Sequence, residues 1–264
     1  MYVPPAFKVH PAVALAFAAA RGFGLVVACD GGRPIAASLP FILIEADGQV
    51  PRLQFHVARG NALAALAEKG GTWLVAVTGD DAYVSPDWYA SSDQVPTWLY
   101  QAVHLSGPVH AIPAAHAPAH LDALTGEFES WLAPKPAWSA ERVSPERRAM
   151  LMQAIVAIEM KVETIEGSFK LNQHKSDADN VAIADALSRQ SSPGARAVAD
   201  RMIALRPQLD YGDASTGPHG EERPKAASRT MAASSVAAPS FETRPTDAPQ
   251  DEGGISALPD ERGA

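Results

Sequence analysis

Short apolar runs rich in β-branched residues, separated by tight glycine turns, dominate the first 60 residues of the chain. Asp30-Gly31-Gly32 stands between the apolar runs 25–29 and 34–44, and Ala46-Asp47-Gly48 precedes a third run at 49–57. Turns this short join antiparallel strands, whereas parallel strands need a crossover of a dozen or more residues. The first three strands are therefore predicted to be antiparallel.

The rest of the chain up to residue 211 alternates between strand and helix patterns. The spacing of apolar residues, with Gly, Pro and Ser at the ends, predicts strands at 72–78, within 99–112 and at 156–165. Helices are predicted at 11–21, 61–69, 118–132, 145–155, 176–187 and 193–205. About six antiparallel strands with a few helices predict a mainly β, α+β fold, a small barrel rather than a parallel sheet.

The last fifth of the chain has a different composition. From residue 212 onward the large aliphatic and Phe side chains are Val236, Phe241, Ile255 and Leu258 alone. So little apolar surface cannot offset the entropy of ordering, so 212–264 is predicted to be a disordered tail. The domain prediction is a barrel domain at 1–189, a C-terminal helix at 190–211, and this tail.

The charge balance argues against a broad surface for nucleic acid. The net charge is −8, and up to Arg189 the chain carries 14 Lys and Arg against 19 Asp and Glu, a net charge of −5. Non-specific affinity for DNA comes from Lys and Arg that neutralise phosphates, so DNA is a disfavoured partner.

The sequence lacks patterns for secretion, membrane insertion, metal binding and catalysis. The chain shows no secretory leader pattern and no apolar stretch long enough for a bilayer, so a cytoplasmic, non-membrane protein is expected. Cys29 lies in an apolar run and is predicted to be a buried small hydrophobe. His104, His110, His116 and His120 lack Cys or acidic residues at ligand spacing, so no metal site is predicted. No catalytic constellation is found.

A possible phosphate site lies where the strand at 53–57 runs into the helix at 62–68 through Ala58-Arg59-Gly60-Asn61. Such a turn presents backbone N–H groups, and the Arg59 guanidinium matches phosphate oxygens. The alternative is that Asn61 only caps the helix while Arg59 pairs with a surface carboxylate. The sequence leaves both open.

Aromatic residues are concentrated in one segment. Tyr83, Trp88, Tyr89, Trp98 and Tyr100 fall within 18 residues, with prolines and polar residues between them. Rings of this kind on a loop form the wall of a site for a planar ligand, or a subunit interface. The alternative is a loop held down by its own side chains.

A polar segment at 166–175 follows the last predicted strand. Lys170 and Lys175 there form either a solvated face or a second cation for a phosphorylated ligand.

Five motifs in order along the chain resemble the PaiB-type FMN-binding negative transcriptional regulators. They are Met1-Tyr2-Val3-Pro4, His56-Val57-Ala58-Arg59-Gly60-Asn61, Tyr83-Val84-Ser85-Pro86-Asp87-Trp88-Tyr89, Val95-Pro96-Thr97-Trp98-Leu99-Tyr100 and Glu166-Gly167-Ser168-Phe169-Lys170-Leu171-Asn172-Gln173. The resemblance runs from Met1 to about Leu187. It implies a split β-barrel like that of pyridoxamine-phosphate oxidases, a homodimer with FMN at the subunit interface, and a role as a repressor in transcription regulation.

The resemblance also implies roles for individual residues. Arg59 and Asn61 would hold the FMN phosphate, and His56 would lie beside the ribityl chain or ring. Trp88, Trp98 and Tyr100 would wall the isoalloxazine or the dimer seam. Lys170 and Gln173 would approach from the late strand.

Four positions depart from the pattern expected of the family. Ser38 stands where His is expected, Ser92 where Lys is expected, and Leu99 and His174 where Asn is expected. Each lost hydrogen-bond partner costs roughly 1 kcal/mol, so FMN affinity is expected to fall by a factor of about ten to several tens.

The sequence leaves three functions open. The first is an FMN-binding regulatory protein that acts through a ligand or a protein partner rather than through a basic DNA surface. The second is a split-barrel flavin-dependent oxidoreductase, in which the protein positions FMN. The third is a dimeric barrel that has lost flavin.

Overall fold

The computed structural model describes residues 1–44 and 49–212, all within one unit, Met1–Ser228. Its strands are β1 Phe23–Asp30, β2 Arg33–Pro40, β3 Ile42–Ile44, β4 Arg52–Ala58, β5 Thr72–Val84, β6 Thr97–Ala111, β7 Ile155–Lys161 and β8 Thr164–Lys170. Its helices are α1 Pro11–Arg21, α2 Ala62–Lys69, α3 Ala117–Ser130, α4 Pro145–Gln153, α5 Asp177–Ser188 and α6 Pro193–Leu205. The predicted turn at 46–48 and the predicted tail beyond residue 212 lie outside the described residues, so both stay predictions.

The first hairpin forms as its sequence predicts. Asp30 pairs with Arg33, which leaves Gly31 and Gly32 as a two-residue turn. Their φ angles are 56° and 87°, the left-handed conformation that this class of hairpin turn requires and that glycine adopts without strain. The hairpin β1–β2 is thereby confirmed.

All strand pairs in the described residues are antiparallel, in the order β2-β1-β5-β6-β7-β4-β3 with β8 also paired to β6. Strand β6 organises the sheet, because it pairs with β5 along most of its length, with β8 over its first part and with β7 at its end. The edge strand β2 contacts β4 without strand pairing. The predicted antiparallel split barrel is confirmed.

The single strand predicted at 34–44 is in fact two strands, β2 and β3. The chain leaves the β1 pairing at Phe41, whose backbone N–H donates to the carbonyl of Gly22 at 2.9 Å. The Phe41 ring is 1% exposed and packs in the barrel core. Core burial therefore turns the strand at a position where the apolar pattern shows no break.

The strand predicted at 156–165 is also two strands, β7 and β8. The chain crosses over β6 between them, and a Cβ on Gly107 would lie 1.7 Å from the carbonyl oxygen of Lys161. Only a residue without a side chain permits this close approach of two backbones.

Two apolar clusters form the core of the described chain. The first fills the barrel between its strands and helices α1 and α2. The second lies under α5 and α6, where they meet residues of β5 and β6 such as Val84 and Leu99. The division between 1–189 and 190–211 stays a prediction.

The prediction for Cys29 is wrong, because its side chain is exposed. Successive side chains of a strand point to opposite faces. Val26 and Ala28 take the inner face, at 0% and 2% exposed, so Cys29 falls on the outer face. Within residues 1–44 and 49–212, none of the helices has the length and apolar character needed to cross a membrane.

Candidate functional site

The junction of β4 and α2 forms the first part of the candidate site. Asn61 caps α2, since its Oδ1 accepts a hydrogen bond from the backbone N–H of Leu63 at 2.9 Å. The backbone N–H groups of Arg59 and Asn61 donate to Ala154 and Ala58. Two N–H groups of the predicted cradle are thus already used within the chain.

The Arg59 side chain reaches the end of α4 rather than a carboxylate. Its Nε donates to the carbonyl oxygen of Gln153 at 2.8 Å and its Nη2 to that of Ile155 at 2.9 Å. The guanidinium also borders a cavity of about 460 Å³, together with Ala114, Ala149 and Met152.

This junction fits a phosphate group. The space where Gly60 would carry a Cβ has no heavy atom within 4 Å, so a ligand can approach the backbone there. Arg59 supplies a cation with Nη1 outside its two bonds to the α4 end, and forked cations of this kind bind phosphate oxygens well.

His56 lies three residues before Arg59, on the outer face of β4, and contacts a second histidine. Its Nδ1 is 3.2 Å from Nε2 of His120 on α3, and Nδ1 of His120 is 3.3 Å from Oε1 of Gln54. Burial lowers the pKa of His56. Burial, followed by the nearby His56, lowers the pKa of His120 to about 4. Both rings are therefore neutral at pH 7.

The aromatic segment is more ordered than the predicted loop. Strand β5 continues to Val84 and β6 begins at Thr97, so Tyr83 and Trp98 are cross-strand partners. Their rings meet edge to face with centroids 6.1 Å apart and are 47% and 54% exposed. Trp88 lies in a 3₁₀ turn and packs against the second core cluster. The predicted loop is wrong for Tyr83 and Trp98, because strand pairing extends over them, whereas Tyr100 lies on a strand as the prediction within 99–112 implies.

Lys170 joins these aromatic residues, whereas Gln173 is engaged locally. Lys170 pairs with Tyr100 across β8 and β6, and its Nζ donates to Oγ1 of Thr97 at 2.5 Å. The Gln173 side chain accepts from the backbone N–H of Leu171 at 2.7 Å and donates to the carbonyl of Phe169. Its amide thus holds the turn after β8.

Asn172 is a residue that the sequence reasoning missed. It has φ 60°, its side chain is 0% exposed, and its amide atoms make no hydrogen bond of acceptable geometry within the described residues. Burial raises the pKa of Tyr89, and the nearby Asn172 side chain lowers it in part. The available signal was the tolerance of Asn for the left-handed conformation directly after a strand.

The two groups of candidate residues lie at opposite ends of the barrel. Tyr100 is near the start of β6, whereas β4 is reached through β7 from Ala111 at the end of β6. Eleven residues separate these positions, about 36 Å along a strand. One chain therefore does not bring Arg59 and His56 together with Trp98, Tyr100 and Lys170.

An apolar outer face extends from the aromatic group across the sheet. The register places Leu25, Ala76 and His104 in one row, on the same side of β6 as Trp98 and Tyr100. Phe23 and Leu25 are 51% and 43% exposed on this face. Exposed apolar patches of this kind mark interaction sites.

The four histidines considered as metal ligands do not converge. Across the described ranges, no group of three or more His, Cys, Asp or Glu side chains is placed to hold a metal ion.

Comparison with known proteins identifies relatives of the chain. The model of a family described as "Putative FMN-binding domain" matches residues 1–164. The chain is 31% identical over 203 residues to "Protease synthase and sporulation protein PAI 2" of Bacillus subtilis (strain 168), which covers 76% of this chain and 96% of that protein.

Two solved structures resemble the fold at low sequence identity. One is the FAD and heme binding protein from Mycobacterium smegmatis, with a TM-score of 0.43, 19% identity and coverage of 61% of this chain and 71% of that chain. The other is described as a "putative 5-nitroimidazole antibiotic resistance protein" from Bacteroides thetaiotaomicron, with a TM-score of 0.44, 12% identity and coverage of 61% of this chain and 84% of that chain.

Proposed function

This chain belongs to the family described as "Putative FMN-binding domain", and we propose that it is a regulatory protein that binds FMN between the two subunits of a homodimer. Within it, Arg59 binds the phosphate, and the outer-face aromatic residues of the second subunit cover the ring. The family membership supports FMN as the ligand, and the arrangement of the candidate residues supports the dimer.

The observation that carries the proposal is the separation of the two groups of candidate residues. Arg59 and His56 lie at one end of β6, and Trp98, Tyr100 and Lys170 lie at the other. In a two-fold symmetric dimer, the first group of one subunit meets the second group of its partner, and the symmetry produces this contact twice. A second copy thereby completes two sites that a single chain leaves incomplete.

The outer sheet face supports the same arrangement. Tyr83, Trp98, Phe23 and Leu25 expose apolar surface on one side of the sheet. Large exposed aromatic residues are enriched in the centre of subunit interfaces. Lys170 and Tyr100 lie among them and would contact the flavin from the second subunit.

One departure from the family pattern does not bear on the ligand. Leu99 is 0% exposed and packs in the second core cluster, on the inner face of β6. A side chain at this position does not reach the proposed FMN site, so the change to Leu99 costs no contact with FMN. Ser38 is different, since it pairs with Leu25 and lies on the outer face that the dimer would cover.

The regulatory role is supported by the relative and by charge. The relative is named a protease synthase and sporulation protein. The net charge of −8 disfavours broad contact with DNA, so we expect regulation through flavin occupancy or through a protein partner. FMN supplies redox chemistry when bound, and this chain's residues position it.

Titration with FMN and with riboflavin, followed by visible absorption and flavin fluorescence, tests the ligand. The Arg59→Ala variant should bind FMN about 10- to 100-fold more weakly, since a hydrogen bond to a charged group contributes about 1.5–3 kcal/mol. Its affinity for riboflavin, which lacks the phosphate, should stay the same. Arg142→Ala, on an exposed arginine outside this junction, is the matched control. A wild type that takes up no flavin would refute the proposal.

Sedimentation tests the dimer in the same samples. We expect a dimer at micromolar concentration, and two flavins per dimer. If the protein is a monomer and still binds FMN tightly, the shared site is refuted. Oxidation of NADH or NADPH by the FMN-loaded protein would instead favour a flavin-dependent oxidoreductase.

A further inference from the structure

A row of polar side chains crosses the outer face of β6, β7 and β4. His110, Glu159 and Gln54 are register partners on these three strands. Nε2 of Gln54 donates to Oε2 of Glu159 at 2.7 Å. Nη1 of Arg52 lies 3.5 Å from Oε2 of Glu159, and Nε2 of His110 lies 3.8 Å from Oε1 of Glu159.

The carboxylate fixes the orientation of the Gln54 amide. An ionised carboxylate only accepts hydrogen bonds, so the NH₂ group of Gln54 must face Glu159. The amide oxygen then points the other way, toward His120. The chemistry of the carboxylate therefore fixes the orientation of the amide.

The oxygen of Gln54 fixes the proton of His120. His120, a residue of α3, is 3% exposed, and its Nδ1 lies 3.3 Å from Oε1 of Gln54. Because that oxygen can only accept, Nδ1 carries the proton and Nε2 carries the lone pair. The same step repeats at His56, whose Nδ1 lies 3.2 Å from Nε2 of His120 and must donate to it.

We propose that Glu159, through Gln54 and His120, holds His56 in the tautomer whose Nε2 accepts a hydrogen bond from a hydroxyl group of the ligand. This inference rests on the proposed function for the identity of that hydroxyl, which belongs to the ribityl chain of FMN. Gln54, His120 and Glu159 are positioning residues that act through His56.

The tautomer divides the ligand between two neighbouring side chains. A lone pair on Nε2 repels phosphate oxygens, which are also acceptors, whereas a hydroxyl can donate to it. Arg59 carries only donors and takes the phosphate. Three residues of extended chain, about 10 Å, separate the two positions, so one ligand can place its phosphate and its polyol chain at different residues.

The ring nitrogens of His56 report the tautomer directly. In the full chain labelled with ¹⁵N-histidine, we expect Nδ1 protonated and Nε2 unprotonated in both His56 and His120. Spectra of His56→Gln and His120→Gln assign the signals. In Gln54→Met, which keeps the side-chain volume but removes the acceptor, the signals of both histidines should shift toward a mixture of tautomers.

Two further variants separate the relay from general packing. Glu159→Gln should also produce a mixture, because a glutamine there can donate and lets the Gln54 amide turn over. His110→Gln is the matched control, since His110 approaches the same carboxylate from outside the relay and its replacement should leave both histidines unchanged. A wild-type His56 with its proton on Nε2, or unchanged signals in both Gln54→Met and Glu159→Gln, would overturn the proposal.

Addition of ligand tests the hydroxyl contact. FMN and riboflavin should shift the Nε2 signal of His56, whereas lumiflavin, which has the ring but no ribityl chain, should not. Equal shifts with lumiflavin would overturn the hydroxyl assignment. If no flavin binds while His56 keeps the Nδ1–H form, the proposed function fails and the tautomer relay stands. If flavin binds while the proton lies on Nε2, the relay fails and the proposed function stands.

Discussion

Acid should destabilise this protein through His120, and the size of the effect follows from its burial. The ring projects from α3 toward β4 and is 3% exposed, and its Nε2 lies 3.2 Å from Nδ1 of His56. Burial, and then the neighbouring His56, lowers its pKa from 6.5 to about 4. In the unfolded chain the ring titrates near its ordinary value, so the unfolded state binds the proton first as pH falls.

The difference between the two pKa values of His120 sets the sign and the size of the effect. Between pH 6.5 and 4 the unfolded state holds more protons, so the free energy of unfolding decreases as the pH falls through this window and is unaffected above it. Each pKa unit corresponds to 1.36 kcal/mol, so His120 lowers the free energy of unfolding by about 2 kcal/mol at pH 5 and by about 3 kcal/mol at pH 4. Either value is a large share of the 5–15 kcal/mol that is usual for a domain.

Urea denaturation at pH 7, 6, 5 and 4.5 measures this effect in the wild type and in His120→Gln. Carboxylates titrate in both proteins and cancel in the difference, so the wild type should lose about 2 kcal/mol more than the variant between pH 7 and 5. His116→Gln, an exposed histidine four residues earlier, is the control and should follow the wild type. Parallel stability curves for the wild type and His120→Gln would refute the reasoning.

Three further predictions concern packing, a buried carboxylate and the outer face. Gly107→Ala should lower the free energy of unfolding by about 3 kcal/mol or more in urea, since its Cβ would lie 1.7 Å from a backbone oxygen; Gly126→Ala, in open space on a helix, should be neutral or slightly stabilising. Burial opposes the charge of Asp179, but hydrogen bonds from Ser91 and Ser176 outweigh it and lower the pKa of Asp179, so Asp179→Asn should cost about 2 kcal/mol at pH 7. The cost should be smaller at pH 3, because the unfolded chain binds a proton at this carboxyl first and the stabilisation of the charged form is then being lost; an equal cost at both would contradict this. Trp98→Ala should shift the sedimentation equilibrium toward monomer, whereas Leu132→Ala, equally exposed outside that face, should not.

Much of the local structure could be predicted because it depends on residues close in sequence. Helix α1 begins at Pro11 and ends at Arg21 as predicted, because Pro suits a first helical turn and Gly22 ends it in the left-handed conformation. The turn at Gly31-Gly32 was predicted for the same reason, and the cap by Asn61 was one of the two alternatives that the sequence left open. The order of elements and the antiparallel pairing follow from these short-range signals.

The candidate site was predictable only in part. The sequence singled out Arg59 beside a strand-to-helix turn, and the structure adds that its Nε and Nη2 are engaged by the carbonyls that end α4. These partners lie more than ninety residues away, and no local pattern signals them. Gln54 and Glu159 were not identified for the same reason, since each looks like an ordinary polar position of a half-exposed strand.

The sequence by itself determined where helices, strands and turns occur, that the strands are antiparallel, and which motifs carry the family membership. Only the tertiary structure decided that the chain turns at Phe41, that Cys29 faces outward, that His120 is buried against His56, and that the phosphate and aromatic groups lie at opposite ends of β6. The reason is physical: propensities, caps and turns act over a few residues, whereas burial, tautomer and the distance between two sites depend on strand register and packing between distant segments.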